Sequence, residues 1–214
     1  MAAASAPDNP LAPRAPHFRA RAKRVIQILA NGGPSQMDTF DPKPALAKWD
    51  GKPFPATMEP TQFNNNGATL ASPWEFTRHG RSGLPVSSLF PCVARCADDL
   101  CVVRSMTSKF NEHTNANYFL HTGAGIVGRP SMGAWLAYGL GSENQNLPGF
   151  VLLFDIGPYG GALNYSNGPL PAAFQATPLR DEGAPVLDLL PPSQFAKGQR
   201  ASIDLIRELN MKHR

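Results

Sequence analysis

A chain of 214 residues, 42% hydrophobic and 17% charged, is long enough for one domain with a sizeable core and is not the profile of a disordered chain. Its 22 prolines and 19 glycines exclude a simple helical bundle and imply many loops between short regular elements. The net charge of +4 comes from scattered bases, apart from Arg19, Arg21, Lys23 and Arg24, with no interleaved aromatics and no nucleic-acid motif. No nucleic-acid partner is therefore expected.

Residues 1–17, rich in Ala and Pro, lack the basic n-region and apolar h-region of a complete signal peptide. They read as a flexible leader, or as the tail of an export-signal region, ahead of one domain over residues 18–214. Val25-Ile26-Gln27-Ile28-Leu29-Ala30 is a short β-branched run ending at Asn31-Gly32-Gly33-Pro34, the pattern of a buried strand running into a loop. Pro42 and Pro44 precede a short helix over residues 45–49, stopped by Asp50-Gly51. Asn64-Asn65-Asn66-Gly67 reads as a turn, and residues 69–71 with 74–77 as a hairpin.

Helical spacing returns over residues 87–98. The three cysteines, Cys92, Cys96 and Cys101, have neither a disulfide-framework count nor a zinc spacing. On a helix Cys92 and Cys96 would share a face and serve as small core residues. Residues 100–103 form a second expected strand, residues 115–121 and 131–140 two helices, residues 150–154 a third strand, and residues 198–212 a terminal amphipathic helix. Strands alternating with helices imply an α/β fold with a mainly parallel sheet and helices on both faces. So few strands read as an incomplete domain. No run approaches about 18 apolar residues, so no membrane span is expected.

In such a sheet ligands bind beyond the carboxyl ends of the strands. Three polar segments occupy such places: residues 31–41, 104–117 and 155–167. In the first, Gly32 and Gly33 permit close backbone approach to a ligand beside Ser35, and Asp38 or Asp41 can hold a cation. A tight turn with a capping Asp explains the same residues. In the second, His113 is a candidate ligand or acid/base and Thr114 a candidate nucleophile, while amides near Asn115 can face an anion. Helix capping by Thr114 or Asn115 is the alternative. Further on, Arg129 can clamp an oxyanion bidentately and Ser131 stands at a helix start. Their alternatives are a surface ion pair and an N-cap.

The stretch Asn31-Gly32-Gly33-Pro34-Ser35-Gln36-Met37-Asp38-Thr39-Phe40-Asp41-Pro42-Lys43-Pro44 resembles the opening signature of a bacterial domain-of-unknown-function family, numbered fifteen-oh-one, whose members are often labelled sulfatase-like. The similarity continues through Asp98-Asp99-Leu100-Cys101-Val102-Val103-Arg104-Ser105-Met106, His121-Thr122-Gly123 and Gly128-Arg129-Pro130-Ser131-Met132-Gly133-Ala134-Trp135. It also takes in Tyr138-Gly139-Leu140-Gly141-Ser142-Glu143-Asn144 and Leu147-Pro148-Gly149-Phe150.

The resemblance implies a branch of the alkaline phosphatase and sulfatase superfamily, of which this chain covers the amino-terminal half. The fold it implies is alkaline-phosphatase-like, and the activity is metal-assisted hydrolysis of sulfate or phosphate esters, with polysaccharide as one substrate class. By position Asp38 would hold the divalent metal (Ca, Mg or Zn), Thr114 or a neighbour, with His113 beside it, would match the nucleophile, and Thr122-Gly123 the Thr-Gly turn that follows it. Gly32, Gly33, Ser35, Asn115, Arg129 and Ser131 would lie on the substrate side. The resemblance also implies export to the periplasm or cell surface and dependence on a C-terminal half carrying a Gly-Arg-Asp-His signature. Two features depart from the superfamily pattern: Asn31-Gly32-Gly33 replaces an Asp at the strand end, and the Cys/Ser-x-Pro-x-Arg nucleophile motif is absent. They favour the other reading of the chain, a non-catalytic binding or assembly protein that keeps the fold.

Overall fold

The computed structural model describes residues 9–58, 66–154, 156–186, 189 and 198–212. Residues 1–8 of the leader, Asn64 and Asn65 of the expected turn, and Asp155 lie outside the described residues. Two compact units divide the chain. The first comprises the described residues of Arg19–Val127 with Pro158–Asn164; the second comprises those of Met1–Phe18, Gly128–Gly157 and Tyr165–Arg214.

The first unit is organised by an antiparallel hairpin of β1 (Phe76–His79) and β2 (Leu84–Ser87), with Thr77 opposite Val86 and His79 opposite Leu84. Its turn needs left-handed backbone, and Gly80 and Gly83 supply it at φ of 63° and 64°. The hairpin thus lies later than residues 69–77. There Thr69 instead exchanges backbone hydrogen bonds with Gly51 and Lys52. Val86 is fully buried, and the neighbouring Ser87 amide donates to the Thr39 carbonyl at 2.9 Å. Phe40 stacks on Phe90 with centroids 5.4 Å apart, so the 35–41 turn rests on the end of β2.

After β2 comes α1 (Pro91–Ala94), started by a proline at a position that needs no amide donor. The chain then tightens: the amides of Cys96 and Asp99 bond three residues back, leading into a 3-10 turn over Ala97–Asp99. That winding points Ala94 and Ala97 inward and leaves Cys92, Cys96 and Cys101 as exposed free thiols. The expectation that the cysteines are core residues is therefore corrected. The expected helix over residues 45–49 is a 3-10 helix, Pro44–Lys48. The longest helix of this unit among the described residues, α2 (His113–Thr122), stops at Gly123, whose φ of 74° caps it.

Residues 25–30 and 100–103 are not strands. They have no ladder partner among the described residues, and Ile26 and Ile28 are 87% and 89% exposed. A β-branched run sets the local preference, but a strand exists only when a neighbour takes its N–H and C=O groups.

In the second unit, α3 (Met132–Leu140) packs Ala134 and Ala137 against Phe174, which is 1% exposed. Leu170 and Leu11 complete that cluster. Leu11 belongs to the expected leader, and its neighbours are held as well: the Arg14 amide donates to the Leu140 carbonyl, and Ser142 donates to Leu11. Residues 9–14 are thus packed structure. The strands β3 (Val151–Leu153) and β4 (Thr177–Leu179) pair in parallel, Val151 opposite Thr177 and Leu153 opposite Leu179. Helix α4 (Gln199–Lys212) follows, with Ile203, Ile206 and Leu209 exposed. No helix of the described residues is long and apolar enough to cross a membrane.

Candidate functional site

Gly32 and Gly33 adopt φ of 87° and 76°, and a Cβ on either would meet nothing within 4 Å. They form an exposed turn with open space beside it. Ser35 precedes the 3-10 helix Gln36–Asp38; its side chain makes no capping bond, and its carbonyl accepts from the Asp38 amide and the Thr39 hydroxyl. The Gln36 carbonyl gathers the amides of Thr39, Phe40 and Asp41 at 3.0–3.3 Å. This winding places the two acids differently. Asp41 is 8% exposed, with Lys43 Nζ 2.8 Å from Oδ2 and Arg104 Nε 3.7 Å from Oδ1. Asp38 is half-buried, and its carboxylate makes no hydrogen bond or ion pair among the described residues. Of the two candidate cation ligands, Asp41 is committed and Asp38 is available.

Arg104 begins the second polar segment, so its ion pair with Asp41 ties that segment to the first. Downstream, the N-cap of α2 is Glu112, not Thr114 or Asn115. Its carboxylate accepts from the Thr114 amide at 2.8 Å and from the Asn115 amide. A carboxylate on a helix N-terminus is favourable because unpaired amides and the helix dipole both draw negative charge. Glu112 therefore occupies the donors near Asn115 that an oxyanion would use.

His113 is exposed and stacks on Tyr159 at a centroid distance of 4.8 Å. Thr114 is half-buried, and its hydroxyl makes no hydrogen bond among the described residues. No hydrogen bond, ion pair or ring contact joins either residue to Asp38 among the described residues. Beyond them, Tyr118 donates its hydroxyl to the Gly160 carbonyl, fixing α2 to the 158–164 loop. Asn164, 1% exposed, binds the carbonyls of Tyr159 and Gly161 through Nδ2. The Nε2 of His121 is buried without a partner among the described residues, and burial pushes its imidazole below the ordinary value.

Arg129 and Ser131 belong to the second unit. Ser131 is 2% exposed; it caps α3 by accepting from the Ala134 amide at 3.4 Å, and its own amide donates to Ser166. Its capping alternative is the one realised. Arg129 is exposed and makes no ion pair among the described residues.

Among the described residues no three His, Cys, Asp or Glu side chains converge in a way that could hold a metal ion. Divalent ions in proteins take four or more donors, and Asp38 supplies one. The described residues therefore do not by themselves fit a resident metal. Sequence reasoning missed Lys43, Arg104, Glu112 and Tyr159. A signal existed for Glu112, a carboxylate just ahead of a helix start with Thr and Asn behind it. Lys43 stands two residues from Asp41 and was a local signal too, whereas none existed for Arg104 and Tyr159, which are brought in by contacts distant in sequence.

Residues 22–214 match the family model described as Protein of unknown function (DUF1501). No curated protein matches the chain. No solved structure matches it either.

Proposed function

The chain belongs to the DUF1501 family, and from that membership we propose that it is the amino-terminal part of an exported, sulfatase-like hydrolase of sulfate or phosphate esters. The observation that carries this reading is the Asp41–Arg104 ion pair, because it links the two polar segments in which the site residues were expected. The proposed fold is the alkaline-phosphatase-like α/β sheet, to which the parallel β3–β4 pair and its long connection through residues 154–176 are suited.

On this reading Asp38, whose carboxylate pairs with no cation among the described residues, is one metal ligand, and the remaining ligands lie outside the described residues. A divalent ion held there by Asp38 together with ligands from elsewhere would supply Lewis-acid polarisation of the ester. Thr114 offers an uncommitted hydroxyl at the start of α2, as a nucleophile requires. His113, held against Tyr159, is placed next to it in the chain. Oxyanion stabilisation by the Thr114 and Asn115 amides requires that Glu112 first leave them.

That last point favours a second reading, a non-catalytic binding or assembly member of the family. Glu112 already satisfies the α2 N-terminus, and no metal-ligand group converges among the described residues. One experiment separates the two. Metal content and hydrolysis of aryl sulfate and aryl phosphate are measured for residues 1–214 and for the full product of the gene. Stoichiometric metal and turnover in the full product, lost with Asp38→Ala, support the hydrolase. Absence of both in each protein makes the non-catalytic reading the better one.

A further inference from the structure

Asp41 is buried and carries two cations where one would neutralise it. Lys43 Nζ takes Oδ2 and Arg104 Nε faces Oδ1, so two positive charges and one negative leave a surplus of one positive charge. Both cationic side chains stay partly in solvent, at 50% and 41% exposure. Neither makes another ion pair or hydrogen bond among the described residues.

Arg104 meets the carboxylate through Nε. Its two terminal nitrogens, the pair that grips a tetrahedral oxyanion side by side, are left for another partner. Lys43 adds a compact charge with donors to spare. We propose that Lys43 and Arg104, oriented by Asp41, are the seat for the oxyanion of a sulfate or phosphate monoester, in the role the sequence assigned to Arg129. The choice of a monoester rests on the ester-hydrolase reading; the anion seat itself rests on the geometry.

The arrangement has the economy expected of a recognition site. A buried carboxylate draws two long side chains toward one place and so lowers the rotamer freedom they would lose on meeting a ligand. Asp41 is thereby a positioning residue, and Lys43 and Arg104 are the contacts. Asp38, three residues from Asp41, carries no cation among the described residues and so opposes an anion unless it is itself paired. Asp38→Asn is accordingly expected to tighten anion binding in metal-free protein.

The test measures binding of inorganic sulfate and of inorganic phosphate to the chain at fixed ionic strength, by calorimetry and by amide chemical shifts. Arg104→Gln and Lys43→Gln should each weaken binding by roughly tenfold or more, with unchanged circular dichroism. Arg180→Gln, equal in charge change at an exposed arginine that makes no ion pair among the described residues, should bind as the parent does, and Lys43→Arg should restore most of the affinity. The two anions titrated separately show which ester class the seat prefers.

Equal weakening in all three Gln variants would reduce the effect to net charge and overturn the seat. So would parent-like binding by Arg104→Gln and Lys43→Gln, or no binding of either anion by the parent. The hydrolase reading fails independently, when the full gene product binds sulfate through Lys43 and Arg104 and yet cleaves neither ester.

Discussion

A Cβ placed on Gly80 would stand 2.5 Å from Oδ1 of Asp98, so the β1–β2 turn and the 97–99 turn approach as closely as a glycine allows. The carboxylate uses that proximity to accept the Arg81 amide at 3.1 Å and the Ser82 amide at 2.9 Å. Gly80→Ala combines this clash with a φ of 63° that L residues avoid, and is expected to cost more than about 1 kcal/mol. Thermal unfolding followed by far-ultraviolet dichroism checks it; a change in midpoint within error of the parent would refute the close approach.

The same contact has a pH signature. Backbone donation from Arg81, then Ser82, holds the Asp98 carboxyl below the usual carboxylate range. A depressed folded pKa gives stability that is present above the unfolded value, about 3.9, and lost as pH falls through the folded one. The stability difference between the parent and Asp98→Asn should therefore be constant at neutral pH and shrink as the solution is acidified below about pH 4. Denaturant midpoints of both proteins across that range provide the comparison.

Phe174 is the largest side chain fully buried among the described residues, and it closes the cluster formed by Ala134 and Ala137. Small alanines make that cluster depend on the one aromatic ring. Phe174→Ala is expected to destabilise the second unit by about 3–5 kcal/mol, the range for emptying an aromatic site. Phe174→Leu should recover part of it. Urea unfolding read at the Trp135 fluorescence, in a background with Trp49 and Trp74 replaced by Phe, reports the outcome, since Trp135 lies on α3 within that unit.

Glu112 caps α2 with its carboxylate, and its removal exposes the Thr114 and Asn115 amides. Glu112→Ala should cost about 1 kcal/mol of stability, as loss of a cap does. In the full gene product the same change should strengthen sulfate retention at α2 if an oxyanion competes for those amides. A variant that is less stable but unaltered in sulfate affinity would assign Glu112 a purely structural role.

Local chemistry made some elements legible and left others hidden. Residues 131–140 announced a helix because Ser131 and an apolar run make a start signal, and α3 begins at Met132 with that serine as its cap. Phe150-Val151-Leu152-Leu153-Phe154 was equally readable, and β3 occupies its centre. The runs at residues 25–30 and 100–103 carry the same β-branched signal yet have no ladder partner among the described residues, because sheet formation needs a partner that the run itself does not encode. The hairpin was misplaced because the 80–83 turn gains its stability from Asp98, distant in sequence. The candidate site divided along the same line. Asp38, His113 and Thr114 could be named from local pattern, and Lys43 lies within two residues of its partner Asp41, whereas Arg104 gains meaning only from an ion pair that brings two segments together.

His121 gives a second pH dependence of the same sign. Its buried Nε2 and depressed imidazole pKa mean that the folded chain favours the neutral ring. The associated stability is present above the unfolded value, about 6.5, and declines as pH falls through the folded one. His121→Gln should remove that part of the decline between about pH 7 and pH 5. Parallel denaturation curves for the parent and the variant at both ends of the range decide it.

Ser131 and Thr114 are both hydroxyl residues at helix starts, and the structure gives them opposite duties. Ser131 is buried and caps α3, so Ser131→Ala should destabilise by about 1 kcal/mol. The Thr114 hydroxyl makes no hydrogen bond among the described residues, so Thr114→Ser, which keeps the hydroxyl, and Thr114→Ala should each lie within about 0.5 kcal/mol of the parent. Equilibrium unfolding of the three variants tests the contrast. If Thr114→Ala leaves stability intact and abolishes ester cleavage in the full gene product while Thr114→Ser preserves it, the hydroxyl acts in chemistry. A loss of stability equal to that of Ser131→Ala would instead make Thr114 a structural residue and remove it from the site.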